Sequence, residues 1–299
     1  MPTYVKNRLT HALIGAALAA GAVTAGAAPA AAAATPATSA VALALGADAP
    51  AVLGRAAYVM DAKTGRVYYD KESGERMPIA SLTKMMTAYV VLKHAKPTDT
   101  VKVTAADVRY GASGDASVAG LHAGDRLTVE EMLYALLLPS GADAAHVFAR
   151  TYGPGVDGFV DKMNAAAREL GMNDTRYVNP DGMPTNGGGY STAADQARLA
   201  AAVVGNPVLE AVTSTRHHSL PATADHDAYS WRNTNHLLGA PGVIGVKTGY
   251  TRAAGYTLAF AADRDGTRLI GVILGETDSG RRFDTAEALL DWAAARPRT

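Results

Sequence analysis

The pattern of apolar and polar positions falls into four stretches. The first, up to about residue 53, has no folding periodicity. Lys6 and Arg8 open it, an Ala-rich apolar run over 11–28 follows with Leu13, Ile14, Leu18 and Val23, and small residues fill 30–34. A basic start, an apolar middle and A-x-A-like cleavage options are the layout of a secretory signal peptide. The run is Gly-interrupted and a poor membrane-spanning helix, so cleavage is favoured over a lasting anchor. Residues 35–50 are Ala/Thr/Pro-rich, the composition of a disordered tail. The expected organisation is a signal peptide over 1–34, a tail over 35–53 and one folded domain over 54–299.

The second stretch is extended. Residues 56–61 read as a strand, Lys63-Thr64-Gly65 as its turn and 66–69 as the return strand, which together make a hairpin. The third is helical. Residues 81–92 are apolar and free of breakers, so they predict a buried helix with Ser81 in its first turn. Further helices are expected over 128–138, capped by Thr128 with Glu130 and Glu131 in the first turn, and over 143–152, 158–171 and 192–205. Residues 173–190, rich in Asn, Gly, Pro and Asp, predict a surface loop. The fourth returns to strands at 243–248, 255–262 and 267–275 and closes with a helix over 280–295. Strands from both ends can share one antiparallel sheet, so the fold class is α/β (α+β), a sheet flanked by helices with an all-helical lobe.

Composition narrows the chemistry. At 299 residues, 48% of them hydrophobic and with zero formal net charge, the chain is globular and carries no basic footprint for nucleic acid. There is no cysteine, which removes disulfides, thiolate nucleophiles, Cys-ligated zinc and a lipoprotein anchor. His217, His218, His226 and His236 cluster loosely, but no H-E-x-x-H accompanies them, so solvated loop histidines are expected and no metal site. No G-x-S-x-G elbow is present either.

Ser81-Leu82-Thr83-Lys84 is an S-x-x-K motif. On a helix, Ser and Lys three apart share one face. A serine hydroxyl needs a base to become a nucleophile, and a lysine whose pKa has been lowered by burial can serve. The motif alone is weak. With 11 Ser and 9 Lys in 299 residues, chance supplies about 0.3 matches. Two further motifs follow in a fixed order, Pro139-Ser140-Gly141-Ala142 between two predicted helices and Lys247-Thr248-Gly249 on a predicted strand. S-x-x-K, a Ser-led middle motif and K-T-G occur together in β-lactamases and penicillin-binding proteins. The earlier copy, Lys63-Thr64-Gly65, is read as turn chemistry in which Gly supplies positive φ.

These motifs resemble those of the low-molecular-weight penicillin-binding proteins, the serine D-Ala-D-Ala carboxypeptidases. The resemblance extends over about 56–292. It includes Asp61-Ala62-Lys63-Thr64-Gly65, Pro78-Ile79-Ala80-Ser81, Asn179-Pro180-Asp181-Gly182, Tyr190-Ser191-Thr192-Ala193-Ala194-Asp195 and Val246-Lys247-Thr248-Gly249-Tyr250-Thr251. It implies acyl transfer without a cofactor. Ser81 would attack the carbonyl of the penultimate D-Ala, Lys84 would take its proton and Ser140 would pass one to the leaving amine. Lys247, Thr248, Gly249 and Tyr250 would bind substrate, with the first two on its carboxylate and the Ser81 and Tyr250 N–H groups at the oxyanion. The partners implied are a peptidoglycan stem peptide and β-lactams as inhibitors, outside the cell or at its wall. One departure stands out. Position 142 is Ala where this family usually has Asn, whose amide helps hold the lysine and the substrate backbone.

Three alternatives share the motifs. A class A β-lactamase would need an E-x-x-L-N loop, and residues 173–190 contain none. A serine esterase of the same superfamily need not keep Lys247-Thr248-Gly249. A non-catalytic wall-binding protein would keep the cleft and turn over poorly, as Ala142 would favour.

Overall fold

The computed structural model describes residues 49–185 and 187–296, so the expected signal peptide and most of the tail lie outside the described residues. The elements run in the order β1 (Ala56–Asp61), β2 (Val67–Lys71), α1 (Thr83–His94), β3 (Thr100–Lys102), α2 (Ala105–Gly111), β4 (Arg126–Thr128), α3 (Val129–Leu137), α4 (Ala142–Tyr152), α5 (Gly155–Glu169), α6 (Ala193–Val204), α7 (Pro207–Ser214), β5 (His217–Leu220), β6 (Tyr229–Arg232), β7 (Val243–Thr251), β8 (Gly255–Arg264), β9 (Thr267–Glu276) and α8 (Arg281–Ala294).

Five strands form one antiparallel sheet in the order β2-β1-β9-β8-β7. The first hairpin of the domain therefore pairs with its last strand, and β7 is left at an edge. Alternation along β8 shows why the sheet can bury both faces. Ala259 and Ala261 join a core built with α1, α3, α4, α5 and α6. Leu258, Phe260 and Ala262 join a second core under α8, with Leu289, Leu290 and Ala293. The expected architecture, a helix-flanked antiparallel sheet with a helical lobe, is the observed one.

The helical lobe is organised around α1. Met85, Met86, Ala88, Val90 and Val91 are all buried, and a helix apolar on every side has no solvent face to offer. α3 starts as its sequence predicts. The Thr128 hydroxyl accepts from the Glu131 N–H at 3.2 Å while Glu131 accepts from the Thr128 N–H at 2.7 Å, a reciprocal capping box. At the N-terminal side, Val52 is buried. The Lys71 ammonium donates to the Val52 and Gly54 carbonyls at 2.7 and 2.8 Å, which ties the chain to β2 just before the expected start of order.

The sequence reading missed α2, α7 and the short strands β3 to β6. Two of these elements correct the expectation of solvated histidines. His218, on β5, stacks on Tyr134 with centroids 3.7 Å apart, and His226, in the β5–β6 connection, is buried. His217 and His236 are exposed as expected, the latter with one ring face against Phe283.

Removing the α3 cap tests how firmly this lobe depends on its local signals. Thr128→Ala should lower unfolding stability by about 1 kcal/mol, read as a shifted urea midpoint at unchanged slope.

Candidate active site

The site begins with a strained turn. Residues 80–82 form a single 3-10 turn ahead of α1, and Ala80 takes a left-handed φ of 50°, costly for a residue with a side chain. Ser81 was expected in the first turn of the helix and stands instead in this tighter turn just before it. The spacing still works, because the Lys84 Nζ donates to Ser81 Oγ at 3.2 Å.

A loop from the far side of the sequence completes the lysine's surroundings. The Asp181 carbonyl accepts from the Lys84 Nζ at 2.9 Å, and the Pro180 carbonyl accepts from the Thr87 hydroxyl at 2.6 Å. Asn179 shapes that loop. Its amide donates to the Met183 carbonyl, and its side-chain oxygen accepts from the Gly182 N–H, both at 2.7 Å. Gly182 has φ 84°, and a Cβ there would come within 1.9 Å of the Ala80 carbonyl oxygen. Asn179-Pro180-Asp181-Gly182 is thus a carbonyl-presenting turn pressed against the Ser81 turn. The sequence offered the motif but not this role, since the contact spans 97 residues.

Burial governs the lysine's proton. Lys84 is 1% exposed. Desolvation pushes its ammonium from 10.5 down to about 8, against the opposing pull of the Asp181 and Asp143 carboxylates. Lys247, also 1% exposed, is held far below a free lysine by burial first, then by the nearby charges of Lys84 and Arg282. Its Nζ donates to the Thr248 carbonyl at 3.0 Å.

A direct contact joins the first and third motifs, and Thr234 links the third to the chain just before the middle one. A Cβ on Gly249 would lie 2.9 Å from the Ser81 backbone nitrogen, so only glycine lets β7 approach the nucleophile's turn this closely. The Thr248 hydroxyl meets the Thr234 hydroxyl at 2.6 Å. Thr234 in turn donates its N–H to the Leu138 carbonyl at 3.1 Å, two residues before Ser140. Ser140 sits at the α3–α4 bend with φ 70°, and among the described residues its buried hydroxyl has no hydrogen-bond partner. Tyr250 is 55% exposed and stacks on Tyr256 with centroids 4.4 Å apart.

Position 142 is fully buried, and its methyl group offers Lys84 nothing. Asp143 does not stand in for the absent amide. Its carboxylate accepts from the Ala119 N–H at 2.9 Å and the Leu121 N–H at 3.2 Å, which pins the loop after α2. Thr234 and the Asp181 carbonyl were invisible to motif reading because each acts through a long-range contact.

The arrangement suits nucleophilic chemistry. A hydroxyl lies within reach of a desolvated amine, a second buried hydroxyl has donor and acceptor capacity to spare, and the strand that carries Lys247 packs against the first. Among the described residues, His122, Asp125 and Asp227 could share a metal ion, their ligand atoms lying within 4.8 Å of one another. None of the three belongs to the motifs above.

A family model described as D-alanyl-D-alanine carboxypeptidase matches residues 44–278. Similar proteins include the D-alanyl-D-alanine carboxypeptidase of Streptomyces strain K15, 36% identical over 259 residues, which span 82% of this chain and 89% of that one. A D-alanyl-D-alanine endopeptidase of Pseudomonas aeruginosa is 33% identical over 238 residues, covering 79% of this chain and 76% of its own. The crystal structure of the Streptomyces K15 DD-transpeptidase superposes with a TM-score of 0.79 at 35% identity, over 84% of this chain and 100% of that one.

If Lys84 is the base, acylation of Ser81 should rise about tenfold per pH unit below 8 and level off above it, measured with an activated ester. A flat profile would remove Lys84 from that role. The same burial has a stability signature. The folded pKa lies below the free value of 10.5, so the unfolded chain binds the proton more tightly. This group should therefore raise stability as pH climbs from about 8 towards 10.5.

Proposed function

The chain belongs to the D-alanyl-D-alanine carboxypeptidase family, and on that premise we propose that it removes the terminal D-alanine of peptidoglycan stem peptides through an acyl-enzyme on Ser81. One observation carries the reading. The desolvated Lys84 amine lies 3.2 Å from Ser81 Oγ and, in its neutral form, can take the hydroxyl proton as the oxygen attacks.

The steps follow from the neighbours. Ser81 Oγ bonds to the penultimate carbonyl carbon and its proton passes to Lys84. The resulting oxyanion lies toward the Ser81 and Tyr250 N–H groups, each such donor being worth about 10²–10³ in rate. When the carbon–nitrogen bond breaks, the leaving D-alanine amine takes a proton by way of Ser140, whose spare hydrogen-bonding capacity suits a relay. Water, deprotonated by the same lysine, then releases the acyl group. Lys247 and Thr248 hold the substrate's terminal carboxylate. An incoming anion offsets the crowding of Lys247 by Lys84 and Arg282, so carboxylate binding should restore the Lys247 proton. A β-lactam, whose strained amide and carboxylate imitate the peptide end, acylates the same serine.

Ala142 favours a second reading, a cleft that binds wall peptide and turns over slowly. The basic, apolar and small-residue succession at the N-terminus supports export to the wall. Among the described residues no helix is long and apolar enough to cross a membrane.

Fluorescent penicillin should label the purified protein, and Ser81→Ala should abolish the label. Release of D-alanine from a stem pentapeptide should accompany it, and Ser140→Ala should slow that release by about 10²-fold or more. Labelling without D-alanine release would favour the binding reading. No labelling of a folded wild type would sink the acyl-enzyme itself.

A further inference from the structure

Arg282, the second residue of α8, is placed where a cation is expensive. It is 9% exposed, it stands in the first turn of a helix, where the dipole repels positive charge, and among the described residues its Nε has no hydrogen-bond partner. Among the described residues no carboxylate pairs with it. The neighbouring Arg281 takes Glu276 instead. What holds Arg282 is two aromatic rings, Phe283 at 4.7 Å and Tyr256 at 5.1 Å, and two backbone carbonyls. Its Nη1 donates to the Gly249 carbonyl at 3.0 Å and the Thr257 carbonyl at 3.2 Å. A buried unpaired charge of this kind costs stability, so its position calls for another reason.

The carbonyl it grips supplies one. Gly249 C=O and Tyr250 N–H are the two ends of a single planar peptide group, and in a trans peptide they point in opposite directions. A cation on the oxygen end draws electron density from the nitrogen and makes its N–H a stronger donor, as hydrogen bonds in series strengthen one another. It also fixes the plane in which that donor points. β7 is the sheet's edge strand, and Gly249 packs against the Ser81 backbone nitrogen, so the two N–H groups assigned above to the oxyanion are neighbours.

We propose that Arg282 is a positioning residue for oxyanion stabilisation, its guanidinium orienting and polarising the Gly249–Tyr250 peptide so that the Tyr250 N–H meets the tetrahedral intermediate on Ser81. The inference rests on the acyl-enzyme reading above. Arg282 touches no reacting atom. It acts through the peptide from beneath the sheet, on the side covered by α8, while the Ala259–Ala261 face packs on the helical lobe. Lysine would keep the charge but not the planar fork, so the two replacements separate charge from geometry.

Stopped-flow acylation by a fluorescent penicillin separates the dissociation constant of the first complex from the rate constant of bond formation. Arg282→Leu should lower that rate constant by about 10- to 100-fold, short of the loss of a whole oxyanion donor. The dissociation constant should stay within about threefold, and Arg282→Lys should fall between Leu and wild type. A rate constant within twofold of wild type in folded Arg282→Leu would overturn the proposal. So would a loss confined to the dissociation constant, which would make Arg282 a carboxylate anchor instead. If neither variant folds, the isotope-labelled wild type decides. A scalar coupling across the bond from Arg282 to the Gly249 carbonyl carbon is expected, and its absence overturns the proposal. A wild type that is never acylated at Ser81 refutes the acyl-enzyme reading rather than this one.

Discussion

The desolvation of one amine organises this molecule. Lys84 is nearly sealed from solvent and bonded to a hydroxyl and a peptide carbonyl, neither of which carries a charge to hold its proton. That condition explains features that otherwise look unrelated. α1 must be apolar on all sides, or water would reach the amine. The Asn179–Gly182 turn must be rigid, because its carbonyl receives an N–H from a side chain in a separate helix. Gly182 must lack a side chain, because the turn presses on Ala80. Even the left-handed Ala80 follows, since it tightens the backbone that offers Ser81 to Lys84.

β7 serves both cores. Its inner contacts reach Ser81 through Gly249 and the Ser140 bend through Thr248 and Thr234, while α8 grips the same strand from below through Arg282. An edge strand is normally exposed to unwanted pairing. In the acyl-enzyme reading its hydrogen-bonding edge is left for the substrate, and its rigidity comes from packing on either side rather than from a second neighbouring strand.

The fold and the motif positions were legible because their signals are local. β1 follows alternation and a Gly65 turn, Thr128 and Thr192 cap the helices they introduce, and Ser81 and Lys84 meet because three residues separate them on one turn. What stayed hidden depends on tertiary contact. Strands of three or four residues such as β3 and β5 carry too few positions to show a period, and they form because a partner strand is brought to them. Thr234, Arg282 and the Asp181 carbonyl lack a motif of their own, and each matters only for what it touches across 14, 33 and 97 residues. The histidines misled for the same reason. A polar segment reads as solvated until its neighbours are known, Tyr134 for His218 and Tyr229 for the buried His226.

Lys247 lies in range of Lys84 in the cleft and of Arg282 beneath the sheet, and among the described residues no carboxylate is hydrogen-bonded to any of the three. In the acyl-enzyme reading, such a site distinguishes a chain end from a chain middle. A peptide that stops at a free carboxylate brings the anion that lets Lys247 hold its proton, whereas a peptide that continues past the same bond brings only a neutral amide and leaves that proton as weakly held as before. Loss of the cleaved D-alanine takes that anion away and weakens the hold on the Lys247 proton again. The direction in which the wall is trimmed, one residue at a time from its loose ends, would then be an electrostatic property of the empty cleft.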